Sequence, residues 1–402
     1  MQKKDHYSYL TLIGCSLMAA FDGFDGQVLS FAAPRIAQQW AVPISAFGIV
    51  FSLSLLGLVA GSLLLAPWAD RFGRSRVVLI GTGWIGLFTA ITALCTSMSQ
   101  LTIVRVLTGL GLGAVIPVLI TIAHESAPPG RNALWVTLMI SGIPAGSSIG
   151  GLLAAWALPQ WGWSKFLVCM AAACFFLAVP LIIVLRTHRA ASSYDNSAPM
   201  SSAGAVTRIA TLFREGNAGP TLLLWVLFVC TLLVAYGLAN WLPSLLERNG
   251  MAPAGAAVAA SLCHLGGLIG GIALGWLVGA RGLLALLTAN VVAALVMLLF
   301  GATVRAPWVV YSFSFAVGFL IIGGQVCNTA VAASLYPSHI RTTGVGWAQG
   351  IGRVGAVVGP GAVGLALTFQ WSAGRLFGVG AIFPLISAIT IYGLSRLKSL
   401  SR

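Results

Sequence analysis

The chain has 402 residues, 58% of them hydrophobic and only 7% charged, with a mean hydropathy of +0.95 and a formal net charge of +14. Soluble globular domains are about a quarter charged, so this composition excludes a water-soluble enzyme or binding module and implies residence in a membrane. No soluble stretch interleaves basic residues with aromatics, which excludes a nucleic-acid partner.

A spanning helix needs about 20 apolar residues. Twelve runs meet that length, at 9–33, 45–69, 77–97, 101–123, 133–158, 163–185, 219–243, 254–279, 282–303, 307–335, 343–369 and 375–395. The first is too long for a signal-peptide core and holds Asp22 and Asp25, so it is expected to stay as an uncleaved helix. One aspartate at the centre of a spanning helix costs about 2.5–3.5 kcal/mol, and this chain spends two of its eight acidic residues there. Three positions apart, they share a helix face. The pair is suited to loading and releasing a proton; the alternative is that one member only pairs structurally with Arg105. Phe21 and Phe24 flank the pair and offer ring-stacking surface.

The loop after the second run reads Ala69-Asp70-Arg71-Phe72-Gly73-Arg74-Ser75-Arg76. A tight turn at Gly73 would gather arginines beside Asp70, a cluster able to latch two helices; a plain basic inner loop is the other reading. In the fourth run Arg105 precedes Gly109, Gly111 and Gly113. A membrane arginine needs a partner, and the helix-1 carboxylates are the only acids well inside any span; otherwise Arg105 snorkels to the outer surface. Glu125 closes this run on the inner side, near Arg131. It is expected to belong to a cytoplasmic gate, paired with an arginine of the loop before the third or the fifth run.

The only long polar interval, 187–218, divides the chain into bundles at 1–186 and 219–402 and is read as a cytoplasmic linker. An ungapped shift of 210 residues sets Gly57 and Gly61 on Gly267 and Gly271, Arg71 on Arg281, Gly113 on Gly323, Arg131 on Arg341 and Gly142 on Gly352. Parallel halves of this kind imply alternating access around a solute site near the midplane.

In the second half, Tyr236, Asn240 and Trp241 near the end of the seventh run could stack on or cap an aromatic ring, though Trp241 also suits the interfacial belt. His264, beside Gly266 and Gly267, could bond a ring hydroxyl, titrate, or simply pack. Gln325 and Asn328 follow Gly323-Gly324 as neutral donors and acceptors. Arg353 lies among Gly350, Gly352 and Gly355 and offers a planar fork to a carboxylate, or snorkels to the inner surface. The ungapped shift pairs it with Ile143.

With both termini inside, fifteen basic residues fall on the inner side and five on the outer, namely Arg35, Lys165, Arg248, Arg305 and Arg375. That is the expected bias. The seven cysteines lie in apolar runs without metal-ligand spacing and read as packing residues.

The loop at Asp70–Arg76 resembles the loop 2–3 signature of the major facilitator superfamily, and Arg105 with its glycines is similar to the family's fourth helix. Within that superfamily the chain looks most like the aromatic acid:proton symporters. The residues that carry this likeness are Asp22-Gly23-Phe24-Asp25, Asn240-Trp241-Leu242-Pro243, and the stretch from Tyr336-Pro337-Ser338-His339-Ile340-Arg341 to Gly352-Arg353. The resemblance implies an all-α integral membrane fold of twelve helices in two pseudo-symmetric six-helix bundles, multi-pass in a bacterial inner membrane and expected to act as a monomer. It implies import of an aromatic carboxylate with a proton, and no cofactor. It also implies roles for Asp22, Asp25 and Arg105 in proton coupling. Arg353, Gln325, His264, Tyr236, Asn240, Trp241 and Phe24 would touch the solute. Asp70, Arg71, Gly73, Arg74, Glu125, Arg131 and Arg341 would form the gate. Two departures stand out: the loop at Gly275–Arg281 lacks the repeated aspartate, and His264 stands where glutamine is common. A proton-coupled exporter is the alternative on the same fold. No phosphate-binding loop supports nucleotide-driven transport, no nucleophile–base or metal cluster supports an enzyme, and the repeat argues against a channel.

Overall fold

The computed structural model describes residues 2–128, 131–192, 212–213, 218–303, 306–336 and 340–400, with side chains throughout these except at 2–8, 70, 133, 177–192, 301–303, 342 and 398–400. Among the described residues every regular element is helical. The chain divides into two compact units, Met1–Pro199 and Met200–Arg402.

The first unit holds α1 (Gln2–Gln39), α2 (Phe47–Leu64), the short α3 (Trp68–Phe72), α4 (Arg74–Thr92), α5 (Met98–Ser126) and α6 (Asn132–Ser192). Helix α6 is two helices joined at Gly162, whose φ of 74° and ψ of 168° are not helical. Ser97 starts α5 by accepting the Gln100 backbone N–H on its Oγ, which satisfies one of the orphan donors of the first turn. At Gly73 the backbone turns between α3 and α4 with φ 93°, a conformation that favours glycine. Helix α1 packs on α6, α2 on α5, and α4 on both α5 and α6.

The second unit holds α7 (Ala218–Arg248), α8 (Pro253–Arg281), α9 (Leu283–Thr303), α10 (Pro307–Val317), α11 (Gly323–Leu335), α12 (Arg341–Thr368), α13 (Ala373–Gly380) and α14 (Ile382–Leu400). A π-helical turn, Gly318–Ile322, runs from α10 into α11. Proline opens α8 and α10, where its missing N–H costs nothing. Helix α7 packs on α12, α8 on α10 and the π turn, and α9 and α7 on α14.

Ten helical runs among the described residues are long and apolar enough to cross a membrane. Helix α1 is not one of them, because Asp22 and Asp25 interrupt its apolar stretch. Leu134–Phe176 counts as one run although Gly162 breaks it. Large apolar side chains such as Ile49, Leu63, Phe176 and Trp276 stay exposed on these helices, as a lipid-facing surface requires.

The helix crossings repeat between the units, but not in the ungapped register expected from sequence. A Cβ on Gly57 or Gly61 would overlap the carbonyls of Val106 and Leu110; on Gly266 or Gly270 it would overlap those of Phe315 and Phe319. Gly109 and Gly318 press in the same way on the carbonyls of Ser54 and Cys263. Each counterpart lies one residue nearer than the shift of 210 allows, so Gly267 and Gly271 are not the partners of Gly57 and Gly61. The turn glycines Gly73 and Gly282 follow the same register, which sets Ala280, not Arg281, opposite Arg71. At Gly323 the spacing from Gly113 returns to 210, because the π turn takes in one extra residue. A third register joins α1–α6 to α7–α12. Gly142 and Gly146 meet the carbonyls of Ser16 and Ala20, as Gly355 and Gly359 meet those of Val229 and Leu233. Gly355, not Gly352, is therefore the counterpart of Gly142, and Arg353 corresponds to Ile140 rather than Ile143.

Candidate functional site

In the first unit, the close crossing of α1 and α6 puts Asp25 inside the bundle, 1% exposed. Arg105 on α5 is 2% exposed and donates from Nη1 to Asp25 Oδ2 at 3.3 Å and from Nη2 to the Asp25 backbone carbonyl at 3.1 Å. A snorkelling arginine would expose its guanidinium; this one is enclosed on Asp25. Thr89 on α4 donates its hydroxyl to Asp25 Oδ1 at 2.7 Å. Two further hydroxyls brace the backbone: Ser54 donates to the Arg105 carbonyl at 3.3 Å, and Ser147 to the Gly23 carbonyl at 2.7 Å. Asp22, one turn before Asp25, is partly buried.

Phe24 is buried, its ring edge-on to Phe166 at 5.9 Å and lying against Gly150. Its aromatic surface is taken up by packing within the unit.

In the second unit the polar side chains are spread over four helices. Arg353 on α12 is partly exposed and makes no hydrogen bond or ion pair with any described residue. Gly346 and Gly350 share its helix face, and a Cβ added at either would meet nothing within 4 Å, so open space lies along that face of α12. Gln325 on α11, partly exposed, and His264 on α8, 6% exposed, likewise make no hydrogen bond to a described residue. Asn328, one turn after Gln325, donates to Thr231 Oγ1 at 3.0 Å and leaves its enclosed Oδ1 without a donor among the described residues. No described hydrogen bond joins Arg353, Gln325 and His264 to one another.

The end of α7 is tied into the bundle. Trp241 is 0% exposed and donates Nε1–H to the Pro360 carbonyl of α12 at 2.9 Å. That geometry corrects both sequence readings: the indole is neither an interfacial belt residue nor an open stacking surface, because α12 encloses it. Asn240 is buried and donates to the Tyr236 carbonyl of its own helix at 2.8 Å, while Tyr236 is partly buried.

On the gate residues, Arg74 at the start of α4 forms an ion pair with Glu125 at the end of α5. Between the two loops considered from sequence, Glu125 meets the one after α2. Arg71 lays its guanidinium 5.5 Å from the Phe72 ring centroid, Gly73 makes the turn, and Arg131 is exposed. Arg341 donates from Nε to the Tyr336 carbonyl at 3.4 Å. The Asp70 side chain and Pro337, Ser338 and His339 lie outside the described residues.

Sequence reasoning passes over Thr89. The available signal was a periodicity: Thr82, Thr89 and Thr92 are all buried and recur near helical spacing along α4.

The model of the Major Facilitator Superfamily matches residues 15–360. The chain is 32% identical to a gallate transporter of Pseudomonas putida, over 98% of this chain and 93% of that one. It is 31% identical to a 4-hydroxybenzoate transporter of Acinetobacter baylyi, over 96% and 91%. Among solved structures, a D-xylose-proton symporter superposes with a TM-score of 0.77 at 16% identity, covering 96% of this chain and 97% of that one, which is a likeness of fold.

Proposed function

This chain belongs to the major facilitator superfamily, as a multi-pass transporter and not an enzyme, and from that premise we propose that it imports an aromatic carboxylate together with a proton by alternating access. Its working halves are the bundles 1–186 and 219–402, with 187–218 as a cytoplasmic linker. The spans number twelve: the ten apolar runs, with Gly162 dividing one of them and α1 added. Both termini face the cytoplasm, the chain acts as a monomer in a bacterial inner membrane, and the proton replaces any cofactor.

The observation that carries the reading is Arg353. A guanidinium without a partner among the described residues, on a spanning helix and beside two open glycines, is expensive unless an anion completes it. Its planar fork matches a carboxylate in two hydrogen bonds. Gln325 and His264, likewise without a hydrogen bond to a described residue, are the polar groups offered to ring hydroxyls. The names of the relatives, gallate and 4-hydroxybenzoate transporters, support a hydroxylated ring acid. Trp241 and Asn240 shape the site from behind by fixing α7.

Asp25 supplies the coupling. Ionised, it neutralises Arg105 inside the first unit. A proton on Asp25 removes the counter-charge, and an uncompensated buried charge costs about 3–5 kcal/mol. A rearrangement that gives Arg105 another partner relieves that cost, so proton occupancy biases the conformation. Asp22 is the nearest acidic candidate on the same helix. The Arg74–Glu125 pair closes the cytoplasmic side in one state.

The test is uptake of labelled gallate, 4-hydroxybenzoate and a hydroxyphenylpropionate by the purified protein in proteoliposomes, with and without an inward proton gradient. Gradient-dependent accumulation of a ring acid, abolished by a protonophore, is expected. Accumulation of none of them, or accumulation indifferent to the gradient, overturns the proposal.

A further inference from the structure

Thr89 differs from its neighbours on α4. Thr82 and Thr92 both turn their hydroxyls back onto their own helix, donating to the carbonyls of Val78 and Phe88 at 2.8 Å. This back-bonding is the usual resting place of a threonine in a helix interior. Thr89 makes no such bond and instead donates across to Asp25 Oδ1 at 2.7 Å. The two carboxylate oxygens thus have different partners, Thr89 on Oδ1 and Arg105 on Oδ2. Both members of the Thr89–Asp25 contact are enclosed.

We propose that Thr89 is a positioning residue for the coupling proton: its hydroxyl is a rotor that serves Asp25 in both protonation states. The inference rests on the reading of Asp25 as the proton-coupling carboxylate. With Asp25 ionised, the Thr89 O–H donates to Oδ1. A proton arriving on Oδ1 forms an O–H bond there, and Thr89 keeps its own proton. The Thr89 hydroxyl then turns to the Ile85 carbonyl, one turn back on α4, and its oxygen accepts from the new Asp25 O–H. A hydroxyl has one donor and two acceptor sites, so neither state leaves a buried polar atom unsatisfied on that oxygen.

Among the described residues, the charged and titratable groups around Asp25 are Arg105 on α5, Asp22 on α1, and the Cys174 thiol on α6. The Cys95 thiol, beyond the end of α4, lies toward Arg105. Helix α4 brings no acid or base after Arg76; its contribution to this site is the Thr89 hydroxyl.

The experiment is infrared difference titration of the purified full-length protein, following the carboxyl signal that Asp25→Asn deletes. Thr89→Val keeps the shape and removes the hydroxyl. A hydrogen bond to an ionised acceptor is about twice as strong as a neutral one, so losing the hydroxyl costs the carboxylate more than the acid, and the midpoint in Thr89→Val moves to more alkaline pH by about one unit, a tenfold change in proton affinity. Thr89→Ser restores the wild-type midpoint, and Thr89→Cys, a weaker donor, shifts it the same way by less. A folded Thr89→Val or Thr89→Cys with the wild-type midpoint, or a folded Thr89→Ser without rescue, overturns the rotor alone. If Asp25→Asn deletes no titrating signal, the coupling role of Asp25 falls, and the rotor with it.

Discussion

Arg105 holds Asp25 at two points, its carboxylate Oδ2 at 3.3 Å and its backbone carbonyl at 3.1 Å. The second acceptor is a neutral carbonyl, so a proton on the carboxylate removes the charge from one of the two contacts and leaves the other chemically unchanged. The guanidinium is then held by α1 more weakly and is easier to hand to another partner.

The first prediction concerns that pair. Asp25→Ala leaves Arg105 enclosed without a counter-charge, and it should destabilise the protein by about 3–5 kcal/mol. Adding Arg105→Met removes the stranded charge, so the double variant should be more stable than Asp25→Ala alone. Thermal unfolding of the three proteins in detergent checks the order. A double variant less stable than the single one would mean that the pair is not the dominant local term. Neither variant should accumulate solute on a proton gradient.

Arg353 gives the second prediction. Arg353→Lys keeps the charge but loses the fork, and a point charge replaces two parallel hydrogen bonds. The half-saturating concentration for the transported ring acid should rise about tenfold, as expected for ~1.4 kcal/mol lost from a charge-assisted contact. Arg353 has no described protein partner, so the thermal midpoint should hardly move. Initial-rate uptake over a concentration series, beside a melting curve, separates the two effects. A large loss of stability with unchanged affinity would make Arg353 a structural residue.

Trp241 gives a contrasting third prediction. Trp241→Phe removes the bond to the Pro360 carbonyl, an acceptor that still serves the backbone of α12. Loss of that one bond should cost about 0.5–1.5 kcal/mol, read in thermal unfolding. The order in which ring acids compete for uptake should stay as in the wild type, because the indole is covered by the helix behind it.

How far such features are legible in the sequence depends on how much each residue stands out from an apolar background. A charge in a spanning helix is costly and conspicuous, so Asp22, Asp25, Arg105 and Arg353 draw notice in one pass. Threonine costs little in a helix, and nothing in the chain marks Thr89 apart from Thr82 or Thr92. Tryptophan suits a core, a belt and a stacking platform alike, so Trp241 needs its Pro360 contact before it can be assigned. Ion-pair partners are equally open: Glu125 could meet several arginines, and only the geometry selects Arg74. The repeat is legible as a repeat, yet with 48 glycines a wrong register still finds matches. Contacts with neighbouring carbonyls remove that degeneracy, since a helix glycine either meets a backbone or does not.

The π turn supplies the last prediction. In the first unit, Gly109 and Gly113 are four residues apart and both press on α2; in the second, Gly318 and Gly323 are five apart and both press on α8. Deleting Ile321 restores the spacing of four. An α-helix with that spacing keeps both glycines on the α8 face, as the first unit demonstrates, so the deletion should leave a folded protein with a thermal midpoint near that of the wild type. Replacing Gly323 by valine tests the same crossing from the other side: its side chain would enter the Gly270–Gly271 backbone, an overpacking that costs about 1–3 kcal/mol. If the π turn only absorbs an extra residue, the deletion should also transport normally. If the π turn aids conformational exchange, the deletion should slow turnover while affinity and melting hold. A deletion that melts far below Gly323→Val would show that the two crossings are not built alike.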